Sequence, residues 1–276
     1  MTTRRRLPAA GAAAVSGPGR HQPLGIAMEG FPSPFPVRFL RLVIEGEHVN
    51  MAYVDLAPRG EPSGRTVLLL HGKNFDGGAW EPTARALVAA GHRVVVPDQI
   101  GFGRSSKPAL TNYSFELLAS NTVTLLDRLG VERADVVGHS MGGMLAVHFA
   151  LRHPARARKL VGIRYRVTLG AEHPRWAMAS ALTYQMAYHQ PVVADLPKLR
   201  LPVLLVVGQH DRTAIGKPYA APEDRAKLGN YPVLGKRAAA AIPGARLVEF
   251  DDAGHLPHLE RGARFEREVL AFLRQD

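Results

Sequence analysis

A serine hydroxyl, an imidazole to take its proton and a carboxylate to orient the imidazole suffice for nucleophilic acyl chemistry at neutral pH. The chain contains no cysteine, so thiol catalysis and thiolate-held metal centres are excluded from the start. Gly138-His139-Ser140-Met141-Gly142-Gly143 follows the apolar run Ala134 to Val137 and precedes an amphipathic stretch, 141–152. A G-x-S-x-G segment between a strand and a helix is a sharp turn that holds its serine at the tip. The helix that follows presents N–H groups and the positive end of its dipole to a developing oxyanion. These features predict Ser140 as nucleophile, against the plainer alternative of a structural serine in a glycine turn.

In this motif class the acid and then the base follow the serine along the chain. The apolar run Val203 to Val207 ends at Gly208-Gln209-His210-Asp211, which places the Asp211 carboxylate just past a strand end. The alternative is an aspartate that satisfies local turn N–H groups. The run Arg246 to Phe250 ends at Asp251-Asp252-Ala253-Gly254-His255-Leu256-Pro257-His258. His255, after a glycine, is the expected base. His258 lies nearer the final helix and reads as a packing or hydrogen-bonding residue, and Asp251 and Asp252 as turn formers. Two donors must meet the tetrahedral oxygen. The backbone N–H of Met141 is the first. The second is expected from the loop His71-Gly72-Lys73-Asn74-Phe75, with the Lys73 N–H ahead of its neighbours and the Lys73 side chain turned to solvent. Asn74, Phe75, His139, Trp176 and Tyr184 are candidates for the substrate pocket.

These loops need a scaffold. Short apolar runs at 66–70, 93–96, 134–137, 159–163, 203–207 and 246–250 alternate with amphipathic stretches at 79–90, 115–129 and 141–152. That alternation predicts an α/β fold with a mostly parallel central sheet covered by helices on both faces. Function then sits in the loops at the carboxyl ends of the strands. Segments 37–45 and 48–55 read as an antiparallel hairpin turning at Gly46, and 260–273 as a final amphipathic helix.

The set of motifs resembles the α/β-hydrolase superfamily. The marks are His71-Gly72, the segment Pro97-Asp98-Gln99-Ile100-Gly101-Phe102-Gly103-Arg104-Ser105, the elbow around Ser140, Gly208-Gln209-His210-Asp211 and Gly254-His255. In look the chain is closest to bacterial serine esterase, lipase and lactonase members. The resemblance implies a Ser140-His255-Asp211 triad that cleaves a small-molecule carboxylic ester. Haloalkane dehalogenases and epoxide hydrolases share the scaffold but place an aspartate at the elbow, and Ser140 argues against both. Lactone opening, carbon–carbon bond hydrolysis and perhydrolysis by the same triad stay open, as does a non-catalytic binding protein on this scaffold. Members usually insert a helical cap; here 164–192 leaves room for one or two helices, which implies an open site.

Composition narrows the rest. The chain has 276 residues, 46% hydrophobic and 21% charged, the balance of a globular protein. Net charge is +11, from 35 Lys+Arg against 24 Asp+Glu. The basic residues are scattered and lack the interleaved aromatics of a nucleic-acid surface, so no nucleic-acid partner is expected. No apolar run reaches the roughly 20 residues of a bilayer span. No histidine cluster has metal-ligand spacing, no nucleotide fingerprint follows a first strand, and the triad needs no cofactor. Residues 1–24, with Arg4-Arg5-Arg6 before Ala and Gly, read as a disordered leader or a weak export signal ahead of a hydrolase domain over 25–276; the compartment stays open between cytoplasm and export.

Overall fold

The computed structural model describes residues 25–163, 173–214, 217, 220–225 and 227–275. The leader at 1–24 and the first part of the expected cap, 164–172, lie outside them. Eight strands form one sheet: β1 (Arg38–Ile44), β2 (Glu47–Leu56), β3 (Thr66–Leu70), β4 (Arg93–Pro97), β5 (Ala134–His139), β6 (Ala157–Ile163), β7 (Val203–Gly208) and β8 (Arg246–Phe250). The helices are α1 (Glu81–Ala89), α2 (Phe115–Arg128), α3 (Met141–Arg152), α4 (His173–His189), α5 (Pro222–Arg225), α6 (Tyr231–Ala241), α7 (Pro257–Glu260) and α8 (Gly262–Arg274).

Strand order is β1-β2-β4-β3-β5-β6-β7-β8. β2 runs antiparallel to both β1 and β4, and the remaining neighbours are parallel. The expected hairpin closes through Glu45 and Gly46, both at positive φ, as a two-residue turn matched to strand twist requires. β5 is buried along its whole length between β3 and β6, which places the elbow at the middle of the sheet.

The period of two along each strand sorts side chains into two cores. Leu68 and Leu70 of β3, Val136 of β5 and Leu160 of β6 face the core that takes Phe115 and Leu118 of α2 and Leu145 and Phe149 of α3. Val67 and Leu69, Val137 and Val161 face the opposite core, closed by Leu87 of α1 and by Phe265, Val269, Phe272 and Leu273 of α8. Burial of each such side chain contributes about 1.5–3 kcal/mol, so the four from α8 alone fix that helix on the sheet.

Helix α6 is absent from the sequence reading. Its segment, YPVLGKRAAAA, is rich in alanine and its apolar face is weak. Its packing depends on a missing side chain: a Cβ on Gly235 would come 2.9 Å from Val207 of β7. The stretch 79–90 also divides, into a 3-10 turn at Gly77–Trp80 capped by Asp76 and then α1.

Candidate active site

Ser140 stands between β5 and α3 at φ +53 and ψ −116, a backbone state that costs a non-glycine residue on the order of 1–3 kcal/mol. The flanking glycines make the turn possible by close approach. A Cβ on Gly138 would overlap the Gly142 carbonyl, and one on Gly142 would overlap the Leu70 carbonyl. The Ser140 carbonyl accepts from the Gly143 N–H at 2.9 Å and the Met144 N–H at 3.2 Å, which starts α3. Met141 is the first residue of that helix, so the helical ladder leaves its N–H unused. This is the geometry expected of the first oxyanion donor.

The second candidate donor is set by the loop after β3. The Gly72 carbonyl is held on one side by the His71 ring Nδ1 at 2.7 Å and by the Phe75 N–H at 3.2 Å. In a planar trans peptide the N–H points opposite its carbonyl, so these two bonds also aim the Lys73 N–H. The His71 Nε2 accepts from the Gln99 N–H at 2.9 Å. His71 is therefore the neutral Nδ1–H tautomer and ties this loop to the one after β4. In that second loop the buried Asp98 carboxylate accepts from the Gly77 N–H at 2.6 Å and the Arg104 N–H at 2.7 Å. Burial pushes the Asp98 carboxyl up, opposed by these two backbone N–H donors.

Asp211 and His255 meet as the order of motifs predicts. The His255 Nδ1 hydrogen-bonds the Asp211 Oδ2. The other oxygen, Oδ1, accepts from the Thr213 N–H at 2.9 Å and the Thr213 hydroxyl at 2.7 Å. Asp211 is only 4% exposed, so these donors and the ring carry its charge. The His255 loop is braced by Glu260, whose carboxylate accepts from the Gly254 N–H at 2.7 Å and the Leu256 N–H at 2.9 Å. Thr213 and Glu260 went unassigned in the sequence. Both sit a few residues from the group they hold, a signal common to any turn.

Three expectations need correction. His139 does not open onto a pocket: it is 1% exposed and packs at ring-centre distances of 4.5 Å from His258, 5.8 Å from Phe75 and 6.3 Å from Trp80. As the last residue of β5 it points its ring into this packing, 6.1 Å from the His255 ring centre. Phe75 shares in that packing. The Lys73 side chain is not in solvent. Its ammonium donates to the Ser180 hydroxyl at 2.6 Å and lies 3.9 Å from the centre of the Tyr184 ring, both on α4. Asn74, at φ +68, lies 3.4 Å from that ammonium through its Oδ1. Trp176 falls on α4, and its side chain lies outside the described residues.

His258 takes the packing role expected of it. It is sealed between Trp80, His139 and Phe265, and burial, with a contribution from His255, pulls its pKa down to about 3. Asp251 and Asp252 lie in the turn after β8. Among the described residues no group of three or more acidic or histidine side chains is placed to hold a metal ion, and no helix is long and apolar enough to cross a membrane.

Comparison with known proteins gives the same fold. Residues 65–192 match the family described as alpha/beta hydrolase fold. A crystal structure of a probable hydrolytic enzyme from Pseudomonas aeruginosa PAO1 is similar at TM-score 0.84 and 41% identity, over 90% of this chain and 97% of that one. The 2-hydroxymuconate semialdehyde hydrolase of Pseudomonas sp. (strain CF600) is 30% identical, over 76% of this chain and 87% of the relative. The 2-hydroxy-6-oxononadienedioate/2-hydroxy-6-oxononatrienedioate hydrolase of Burkholderia vietnamiensis (strain G4 / LMG 22486) is 27% identical, over 86% of this chain and 96% of the relative.

Proposed function

The chain belongs to the α/β-hydrolase superfamily and is a hydrolase; from that premise we propose that it works through Ser140, His255 and Asp211, and that it cleaves a carbon–carbon bond in an unsaturated keto acid. The observation that carries the triad is the Asp211–His255 hydrogen bond on the same sheet edge as the strained Ser140 elbow. Support for the substrate class comes from the curated relatives, which act on 2-hydroxymuconate semialdehyde and on 2-hydroxy-6-oxononadienedioate. Ester cleavage, the first expectation from sequence, rests on the triad alone.

The mechanism follows from the geometry. His255 takes the Ser140 proton as the oxygen attacks the carbonyl carbon. Asp211 orients the ring and stabilises the imidazolium. The Met141 and Lys73 N–H groups receive the oxyanion, and loss of one donor in such a hole costs roughly 10²–10³ in rate. Collapse breaks the bond to the leaving group. An ester releases an alkoxide, which takes the proton from His255. A carbon leaving group must carry the electron pair itself, so it has to be conjugated to a second carbonyl before the same proton returns to carbon. Unsaturated keto acids meet that requirement. Water, deprotonated by His255, then releases the acyl group from Ser140 as a carboxylic acid.

The test is a substrate panel with Ser140→Ala as control. Loss of 2-hydroxymuconate semialdehyde absorbance by wild type, abolished in the variant, supports the carbon–carbon reading. Turnover of p-nitrophenyl esters alone supports the esterase. Folded wild type that turns over neither, and fails to react with a fluorophosphonate, overturns the proposal in favour of a binding protein.

A further inference from the structure

Lys73 leaves the oxyanion loop to grip a helix far along the chain. Its ammonium donates to the Ser180 hydroxyl at 2.6 Å and to the Ser180 carbonyl, across a separation of 107 residues. The same ammonium lies 3.9 Å from the Tyr184 ring centre. Ser180 and Tyr184 are four residues apart and therefore share one face of α4. All of these acceptors are neutral. No carboxylate among the described residues is paired with Lys73, and burial pulls its pKa down to about 7. The ammonium is held at once by a hydroxyl, a backbone carbonyl and an aromatic face. So the contact is more than a surface lysine lying where it falls.

The two partners differ in how else they are held. The loop side is fixed without Lys73, through His71, Gln99 and Phe75. Helix α4 is tied at its far end by Gln190, whose side-chain oxygen accepts from the Phe115 N–H at 2.7 Å and whose carbonyl lies 3.2 Å from His148 Nε2. Its middle is held to the loop at Ser180. Ala179 and Met186 keep α4 seated on the core, so loss of the Ser180 contact loosens the helix where it meets the loop without detaching it.

We propose that Lys73 is a positioning residue that clamps α4 onto the oxyanion loop, so that the helix covers the substrate seat beside Ser140. The inference rests on the hydrolase reading for what α4 covers; the clamp itself rests on the contacts above. Loss of the clamp weakens substrate retention and leaves the oxyanion donors in place. KM therefore rises and kcat holds. Loss of an oxyanion donor gives the opposite split.

The experiment pairs hydrogen–deuterium exchange with kinetics on wild type, Lys73→Met, Lys73→Arg and Ser180→Ala. In Lys73→Met, peptides covering 178–189 are expected to exchange at least tenfold faster, with α8 unchanged. Lys73→Arg restores part of the protection, and Ser180→Ala shows the same change in smaller measure. On whichever panel substrate wild type turns over, KM in Ser180→Ala rises at least twofold and kcat stays within threefold, whereas Lys73→Met is read for exchange in α4 and for the direction of its KM. Unchanged exchange in α4 for both Lys73→Met and Ser180→Ala overturns the clamp. So does a fall in kcat at constant KM in Ser180→Ala. If wild type turns over no substrate and resists a fluorophosphonate, the hydrolase reading fails and the exchange result still judges the clamp. Should Lys73→Met fail to fold, Ser180→Ala and Lys73→Arg carry the same comparison.

Discussion

Gly72 and Ser140 face each other across a gap that admits no side chain. A Cβ on Gly72 would stand 3.2 Å from the Ser140 Cβ and 2.8 Å from the His139 Nδ1. His139 has no room to retreat, because Phe75, Trp80 and His258 surround its ring. The added methyl of Gly72→Ala must therefore push the loop outward and carry the Lys73 N–H with it. We expect kcat to fall about 10²-fold, the scale of one lost oxyanion donor, with KM changed little. A variant with wild-type kcat would show that this loop does not supply a donor.

The orientation of His255 depends on Asp211 being ionised and fixed. Asp211→Asn keeps the shape but places an amide against Nδ1, which favours the wrong imidazole tautomer. In a comparable triad that change costs about 10⁴ in kcat. Thr213→Val removes the 2.7 Å hydroxyl donor to Oδ1 but keeps the backbone one, and a loss of about threefold to tenfold is expected. Steady-state kinetics on the same substrate rank the two, and equal losses would contradict the assigned order.

Glu260 gives a subtler test of the same base. Its two oxygens separately hold the N–H groups on either side of His255. Glu260→Gln keeps one acceptor oxygen and exchanges the other for a donor, so one bond is lost and one kept. Glu260→Ala loses both. We expect kcat to fall in the order wild type, Gln, Ala, with about tenfold for Ala, and melting temperature to drop by only a few degrees. A large loss of stability with unchanged kcat in the surviving fraction would reduce Glu260 to a structural cap.

How much of this was legible in the sequence depends on the kind of interaction. Strands β3, β5 and β7 show as apolar runs because both faces of the sheet are covered, so none of their side chains is fully exposed and most are buried. The elbow shows because its glycines are required by backbone overlap, Gly138 with the Gly142 carbonyl and Gly142 with the Leu70 carbonyl of the neighbouring strand. Helix α6 was hidden because it packs through a glycine against Val207, and a missing side chain leaves no periodic apolar mark. Lys73 was misread for another reason. A lysine in a polar loop goes to solvent unless a distant element offers acceptors, and Ser180 and Tyr184 become neighbours only once the sheet is formed. His139 adjoins Ser140 in sequence, but its burial among Phe75, Trp80 and His258 is set by elements far along the chain and leaves no local mark.

His258 links the site to acid stability. Its Nδ1 is buried without a hydrogen-bond partner, and its pKa is pulled down to about 3, first by burial and then by His255. In the unfolded chain a histidine titrates near 6.5. Between those values the unfolded state binds the extra proton, so stability rises with pH there and is lost as pH falls from about 6.5 toward 3. Each pH unit in that window is worth about 1.4 kcal/mol. His258→Phe keeps an aromatic ring against Trp80 and cannot take up the proton. Urea midpoints at pH 7, 5 and 4 should therefore fall more steeply for wild type than for the variant. Parallel slopes would mean that His258 reaches solvent readily enough to be protonated in the folded protein.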